Sequence, residues 1–387
     1  MQRAQLDHII RQVLDFAGDT SDMLFTAVKP VQAEVHGELY DVPLRPKLGK
    51  LLPFQTESIA MSLMGRSTRL YKDHVDRGSC DLSYAVAGKG RFRVNVFSQR
   101  GTMAVVMRRL PDSIPSFKEL GLPDVFKEIV HEKYGLVLVT GATGTGKTTS
   151  LASLIDAINS RHRKHVITLE DPVEYRHHHK EGTVNQRELG EDFDSFASGL
   201  RSALRQAPKV ILVGELRDRE TVTIALEAAE TGHLVLGTLH TADTGQTINR
   251  IIGMFELNEE RLVRGRLGES LKYVISQRLM PKIGVGRVAC FEVMRNNLRI
   301  RELILNGESE EKTFYGVVET SSAFNMFTFD QHLADLFQKG IITAETAMLN
   351  ASDKSKLGKT IDRIKSERGE KVTDIGQLEV DWDYEKG

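Results

Sequence analysis

Eight consecutive residues, Gly141-Ala142-Thr143-Gly144-Thr145-Gly146-Lys147-Thr148, match the pattern G-x-x-x-x-G-K-[ST], and Thr149 extends them. The glycines let successive backbone N–H groups turn inward around an anionic phosphate. Lys147 can reach the β and γ oxygens, and the Thr148 hydroxyl is placed to ligate Mg²⁺. The motif follows an apolar run (136–140) and opens a helix-patterned segment (148–160), so the N-terminus of that helix also faces the phosphates. Gly141, Thr143, Gly144, Thr145, Gly146, Lys147, Thr148 and Thr149 are therefore read as the binding set for a nucleoside triphosphate, ATP or GTP.

A phosphate cradle hydrolyses nothing by itself; an acidic group must hold or polarise the attacking water. Two apolar strands end in carboxylates. Val210-Ile211-Leu212-Val213-Gly214-Glu215 puts Gly214 where a metal-holding Asp is usual. Glu215 is then free to act on water, while Mg²⁺ relies on Thr148, solvent and phosphate. Thr168-Leu169-Glu170-Asp171-Pro172-Val173-Glu174 brings Glu170 and Asp171, whose carboxylates can complete the metal shell through water. For Asp171 and Glu174 a capping or solvated role stays equally open. A third segment, 230–241, is a strand with a histidine at each end, His233 and His240, and His240 falls at the end where ligands meet a parallel sheet. The run His177-His178-His179 reads as a polar loop, because consecutive loop residues seldom converge on one metal ion. Arg91 and Arg93 share one strand face opposite Phe92, Val94 and Val96, with Arg100 and Arg108 beyond them. They are either solvent-exposed residues of an open sheet face or arginines set against a phosphate from another domain or subunit.

These residues need a frame. From Lys118 onward, short apolar strands (GLVLVTG, HVITLED, KVILVGE, HLVLGTLHT) alternate with helical spacing at 148–160, 195–206 and 217–231, which predicts an α/β unit with a mostly parallel sheet covered on both faces. Beyond 245 the pattern predicts helices at 245–256, 259–279 and 298–306 and a hairpin at 281–294. The first 110 residues predict a helix at 2–16, a hairpin around Gly37, a helical stretch at 54–75 and three antiparallel strands within 82–108. LPDSIPSF (110–117) reads as an extended connection. The expected domains are 1–110, a linker at 111–118, an ATPase domain at 119–350, and a charged tail at 351–387 read as a solvated helix with a frayed end.

Composition narrows the function classes. With 52 Lys+Arg against 53 Asp+Glu, the net charge of −1 argues against a chain that coats nucleic acid or anionic lipid through bulk charge. Two distant cysteines, Cys80 and Cys290, exclude a disulfide scaffold or a four-cysteine zinc module and suit a reducing compartment. No apolar run reaches the ~20 residues a bilayer span needs, so a membrane role has to pass through a partner and no membrane insertion is expected.

Taken in order, GATGTGKTT, TLEDPVEY, VILVGELRDRET and ETGHLVLGTLHT resemble the Walker A, aspartate box, atypical Walker B and histidine box of the type II/type IV secretion ATPase superfamily, most closely its PilT-type pilus retraction ATPases. NQRELGEDFDSFASGLRSALRQAP and ISQRLMPKIGVGRVACFEV are also similar to family segments, and the match is densest over 134–294. The resemblance implies an N-terminal PAS-like domain, a C-terminal RecA-like domain and a ring homohexamer with ATP bound between the two. It implies that Glu215 is the catalytic acid, that Glu170 helps organise metal and water, and that His233 and His240 sense the nucleotide. It implies that Arg93 and Arg108 approach the phosphates on closure.

Members that assemble pili or secrete proteins carry extra N-terminal domains and a four-cysteine module, and neither is present, which favours the retraction branch. Arg299-Ile300-Arg301-Glu302-Leu303-Ile304 departs from the A-I-R-N-L-I motif of retraction motors, and RQAPKV departs from the usual D-P-D and resembles accessory retraction ATPases. The expected function is a cytoplasmic, Mg²⁺-dependent hexameric ATPase at the inner membrane that drives type IV pilus retraction, with a platform protein and, as an accessory, a second retraction ATPase as partners. An accessory, assembly or type II secretion ATPase is the alternative within the class. Outside it stand a nucleotide-holding regulator and a RecA-like motor on nucleic acid, for which no basic, aromatic-interleaved stripe speaks.

Overall fold

The protein is described from a computed structural model, and the description concerns residues 1–370. The described residues divide into two compact units, one of residues 1–114 and 172–176, the other of 115–171 and 177–370.

In the first unit, helix α1 (Arg3–Phe16) presents Leu6, Ile9, Ile10, Val13 and Leu14 to the core at helical spacing. Strands β1 (Thr20–Phe25), β2 (Gln32–Val35) and β3 (Glu38–Asp41), helices α2 (Pro53–Met64) and α3 (Thr68–Arg77), and strands β4 (Ser79–Val86), β5 (Gly90–Gln99) and β6 (Thr102–Arg109) follow. The six strands pair antiparallel in the order β3-β2-β1-β6-β5-β4. β1 was not foreseen in the sequence. The helical stretch at 54–75 is two helices, because Gly65 (φ 59°) ends the first and Ser67 caps the second. Strand β5 alternates as expected, with Phe92, Val94 and Val96 buried and Arg93 exposed.

The second unit opens with α4 (Phe117–Leu120), α5 (Val125–Ile129), β7 (Gly135–Thr140), α6 (Lys147–Arg161), β8 (His165–Glu170), β9 (Thr183–Glu188), α7 (Phe196–Ala203), β10 (Val210–Val213), α8 (Arg219–Glu230) and β11 (Leu234–Leu239). It continues through α9 (Thr244–Ile252), α10 (Glu260–Ser270), β12 (Leu271–Pro281), β13 (Arg287–Arg295), α11 (Leu298–Asn306), α12 (Phe314–Glu319), α13 (Phe329–Gln338), α14 (Ala344–Leu349) and α15 (Lys354–Glu367). Its sheet runs β13-β12-β7-β11-β10-β8-β9, parallel except for β13. Every residue of β7, β10 and β11 is buried. On β7, Leu136 and Leu138 join the core formed with α7 to α12, whereas Val137 and Val139 join the core formed with α5 and α6.

Residues 271–279, expected to continue the helix begun at 259, are strand β12 instead. The stretch is mostly buried, and its apolar residues, broken by Lys272, Ser276, Gln277 and Arg278, show no strict alternation by which strand can be told from helix. The expected tail at 351–387 contains α15, whose Leu357, Ile361 and Ile364 pack on Met280 and Cys290 of the β12–β13 hairpin and on α13. One stripe of that helix is therefore core, not solvated; the rest of the expected tail, 371–387, lies outside the described residues. Among the described residues, no helix is long and apolar enough to cross a membrane.

Candidate active site

The C-terminal ends of the parallel strands collect the residues singled out in the sequence. Between β7 and α6, the loop from Gly141 to Gly146 makes a tight reversal in which Gly141, Gly144 and Gly146 all have positive φ (140°, 80° and 88°). At Gly141 a Cβ would lie 2.3 Å from the Gln277 carbonyl oxygen, so only glycine brings the loop this close to β12. Lys147 is buried, and its Nζ donates to the carbonyls of Gly141 (2.7 Å) and Ala142 (3.0 Å). Burial pushes its pKa down, against the attraction of the Glu215 carboxylate, which favours the charged form. Thr143 and Thr148 are exposed, Thr145 Oγ1 donates to Ala142 O (2.8 Å), and Thr149 is half-buried at the start of α6.

Strand β10 ends at Val213, and Glu215 follows two residues later beside β11. Its Oε2 forms an ion pair with Arg217, 2.8 Å from Nε, and stands 3.3 Å from His240 Nε2, while His240 Nδ1 lies 3.5 Å from Thr143 Oγ1. The loop carrying Glu215 is strapped to β11 by Leu216 N–H, which donates to Thr238 O (3.0 Å), and by the Thr238 hydroxyl, which donates to Gly214 O. Gly214 itself is packed against β8: a Cβ there would meet Leu169 O at 2.9 Å and Glu170 Cα at 3.4 Å. The aspartate usual at this position has no room for its first carbon.

Glu170 closes β8 and is buried; its Oε1 accepts from the Thr168 hydroxyl (2.6 Å) and from Gln186 Nε2 (3.0 Å) of β9. Asp171 is exposed. Pro172–Arg176 groups with the N-terminal unit, where Arg91 Nη1 donates to Val173 O (2.8 Å) and Nη2 to Glu174 O. Burial raises the Glu174 pKa, with Arg93 acting against it. Arg93 and Arg108 are direct cross-strand partners on β5 and β6, and Arg108 Nε is bound to the buried carboxylate of Asp22 at 2.9 Å.

Not every expected residue joins the site. His233 lies at the opposite end of β11, about 20 Å away for six strand residues, with Nδ1 3.0 Å from Ala228 O. The three consecutive histidines have different surroundings: His177 donates its N–H to Gln186 Oε1, His178 accepts at its carbonyl from Asn159, and His179 Nδ1 accepts from Val184 N–H. Arg217 and Gln186, which contact the two carboxylates, stand inside the motifs without a signal of their own; their spacing two residues after Glu215 and sixteen after Glu170 carries no meaning without the sheet register.

No group of three or more His, Cys, Asp or Glu among the described residues is arranged to hold a metal ion. The oxygens at hand are the Thr148 hydroxyl and the Glu170 and Glu215 carboxylates. This hard donor set suits Mg²⁺, which keeps waters and phosphate oxygens in its shell and needs few protein ligands.

Residues 78–314 match the family model described as Type II/IV secretion system protein. The chain belongs to this family. Among curated proteins it is 41% identical over 350 residues to the type IV pilus retractation ATPase PilT of Pseudomonas aeruginosa, covering 90% of this chain and 98% of that protein. It is 39% identical to the type IV pilus ATPase PilU of the same organism, covering 91% and 90%. A crystal structure of the pilus retraction motor PilT with bound ADP superposes with a TM-score of 0.82 at 45% identity, covering 93% of this chain and 99% of that one. The X-ray structure of the Legionella pneumophila ATPase DotB has a TM-score of 0.77 at 28% identity, covering 90% and 95%. The chain is thus a PilT-type ATPase, and its two units correspond to the fold expected of that group.

Proposed function

We propose that this PilT-type ATPase hydrolyses ATP to drive retraction of a type IV pilus, acting as a Mg²⁺-dependent homohexamer on the cytoplasmic face of the inner membrane against a pilus platform protein. The observation that carries the catalytic part is the position of Glu215, bound by Arg217 and His240 beside the 141–149 loop. Both partners address Oε2; among the described residues Oε1 has no such partner and is the oxygen to accept a proton from water attacking the γ-phosphate in line. Lys147, now turned to the carbonyls of its own loop, exchanges them for the β and γ oxygens, and the loop N–H groups and the α6 N-terminus take the remaining phosphate charge.

Thr148, with Glu170 through water, would hold the Mg²⁺, whose chemistry is to neutralise charge on the β and γ oxygens. His240, touching both Thr143 and Glu215, is suited to report phosphate occupancy to the catalytic acid, whereas His233 has no part in this reading. Arg93 and Arg108 are assigned to bring positive charge to the phosphates during turnover, a contribution of about 10³–10⁵ in rate where arginines act this way.

A second reading, an accessory retraction ATPase, rests on the RQAPKV approach to Glu215, and the chain is nearly as similar to the type IV pilus ATPase PilU, at 39% identity, as to PilT, at 41%. Surface pili counted by electron microscopy after deletion of the gene, with Lys147→Ala complementation as control, test the proposal. Excess pili with lost twitching are expected; bald cells would mean an assembly motor, and unchanged pili that require a second retraction ATPase would mean the accessory role.

A further inference from the structure

Gln277 of β12 lies in none of the acidic, histidine or glycine boxes, yet it is 3% exposed and both ends of its amide are engaged with the phosphate loop and its helix. Its Nε2 donates to Thr145 O at 2.6 Å, and its Oε1 accepts from the Ser150 hydroxyl, in the first turn of α6, at 2.9 Å. Its own carbonyl is the group against which Gly141 packs, and its Nε2 lies 3.0 Å from where a Cβ on Gly146 would be. One residue therefore spans the loop, its backbone carbonyl at the entry and its side chain at the exit and the helix that follows. A neutral amide does this without adding charge; a lysine or carboxylate at the same depth would alter the field at the phosphates.

The bond to Thr145 has a definite consequence. In a trans peptide the C=O and the following N–H point in opposite directions. Holding the Thr145 carbonyl toward Gln277 turns the Gly146 N–H away from β12, the orientation an anion in the loop requires. Left without Nε2, that peptide can rotate, and Gly146 offers no side chain to oppose it. The strand bearing Gln277 is itself fixed to β7 by the buried pair Thr140 Oγ1 and Ser276 Oγ (2.8 Å), so the clamp is seated on the sheet.

We propose that Gln277 is a positioning residue that pre-sets the phosphate-binding loop, and that Ser150 orients its amide. This rests on the assignment of residues 141–149 as the phosphate cradle. Gln277→Met keeps the side chain's length and removes both hydrogen bonds without adding charge. It should raise the Kd for a fluorescent ADP analogue and the KM for ATP together, by about tenfold, with kcat reduced less than about threefold, the pattern of an interaction made equally in ground and transition states. Ser150→Ala should raise both about two- to fourfold and add nothing further in the Gln277→Met background. A merely structural role would lower the melting temperature and leave ADP affinity alone.

ADP affinity within about twofold of the parent protein in folded Gln277→Met, or full additivity with Ser150→Ala, overturns the proposal. If Gln277→Met does not fold, unaltered ADP affinity in Ser150→Ala overturns it and the stated rise supports it. Lys147→Ala separates the two layers: undiminished ADP binding there would refute the cradle itself, whereas loss there with normal binding in the Gln277 and Ser150 variants would refute only the clamp.

Discussion

His240 Nε2 and Glu215 Oε2 are 3.3 Å apart, and Arg217 Nε contacts that same oxygen at 2.8 Å. Both neighbours crowd one carboxylate oxygen and leave the other facing away from them. Glu215→Gln keeps the shape but removes the proton acceptor, so turnover should fall by about 10²–10⁴ while ATP and ADP still bind. Phosphate release and nucleotide titration on the same preparation check this; retained hydrolysis would remove Glu215 from the mechanism. His240→Ala should cost less, because Arg217 still orients the carboxylate.

Gly214 explains itself through its neighbours. An aspartate restored at this position places a Cβ 2.9 Å from the Leu169 carbonyl and 3.4 Å from Glu170 Cα, both backbone atoms that cannot swing aside. Gly214→Asp should therefore destabilise the protein by about 1–3 kcal/mol and leave the Mg²⁺ concentration for half-maximal turnover no lower. Thermal unfolding and a Mg²⁺ titration test this, and a tighter Mg²⁺ requirement at unchanged stability would show that β8 yields.

Arg93 and Arg108 separate by their partners. Arg108 is bonded to Asp22, whose side chain is only 8% exposed, while Arg93 lies directly across the strands from Arg108, a like charge. Arg108→Ala leaves a buried carboxylate without its guanidinium and should cost about 1–3 kcal/mol. Asp22→Asn in the same chain should recover much of this. Arg93→Ala should leave stability unchanged or slightly raised. Both should slow turnover far more than they weaken ADP binding; normal turnover in folded Arg93→Ala would withdraw its assignment.

The parts legible in the sequence were those whose chemistry demands a pattern. The phosphate loop needs Gly141, Gly144, Gly146 and Lys147 at fixed spacing, and strands buried on both faces leave apolar runs that end at Glu170, Glu215 and His240. Strand β9 has no apolar pattern because VNQRE is a polar edge, and β12 no alternation because residues pointing to both of its faces are buried. The spacing of Leu357, Ile361 and Ile364 was present in α15, but its many charges concealed it. Gln277 and Gln186 escaped for another reason: an uncharged amide acquires a role only through what the fold brings to it.

Acid sensitivity should trace in part to His177. Burial lowers its pKa to about 4, against the pull of Asp156 toward the charged form. In the unfolded chain the imidazole returns to about 6.5. Between these values the unfolded state binds more protons, so stability rises with pH. The contribution is whole above about pH 6.5, is lost as pH falls toward about 4, and changes no further below that. His177 is partly exposed, so the loss between about pH 7.5 and 5 should be about 1–2 kcal/mol. Urea unfolding of the parent protein and of His177→Gln at both pH values measures it. The variant should show the shallower fall with acid, and parallel curves for the two proteins would locate the sensitivity at other groups.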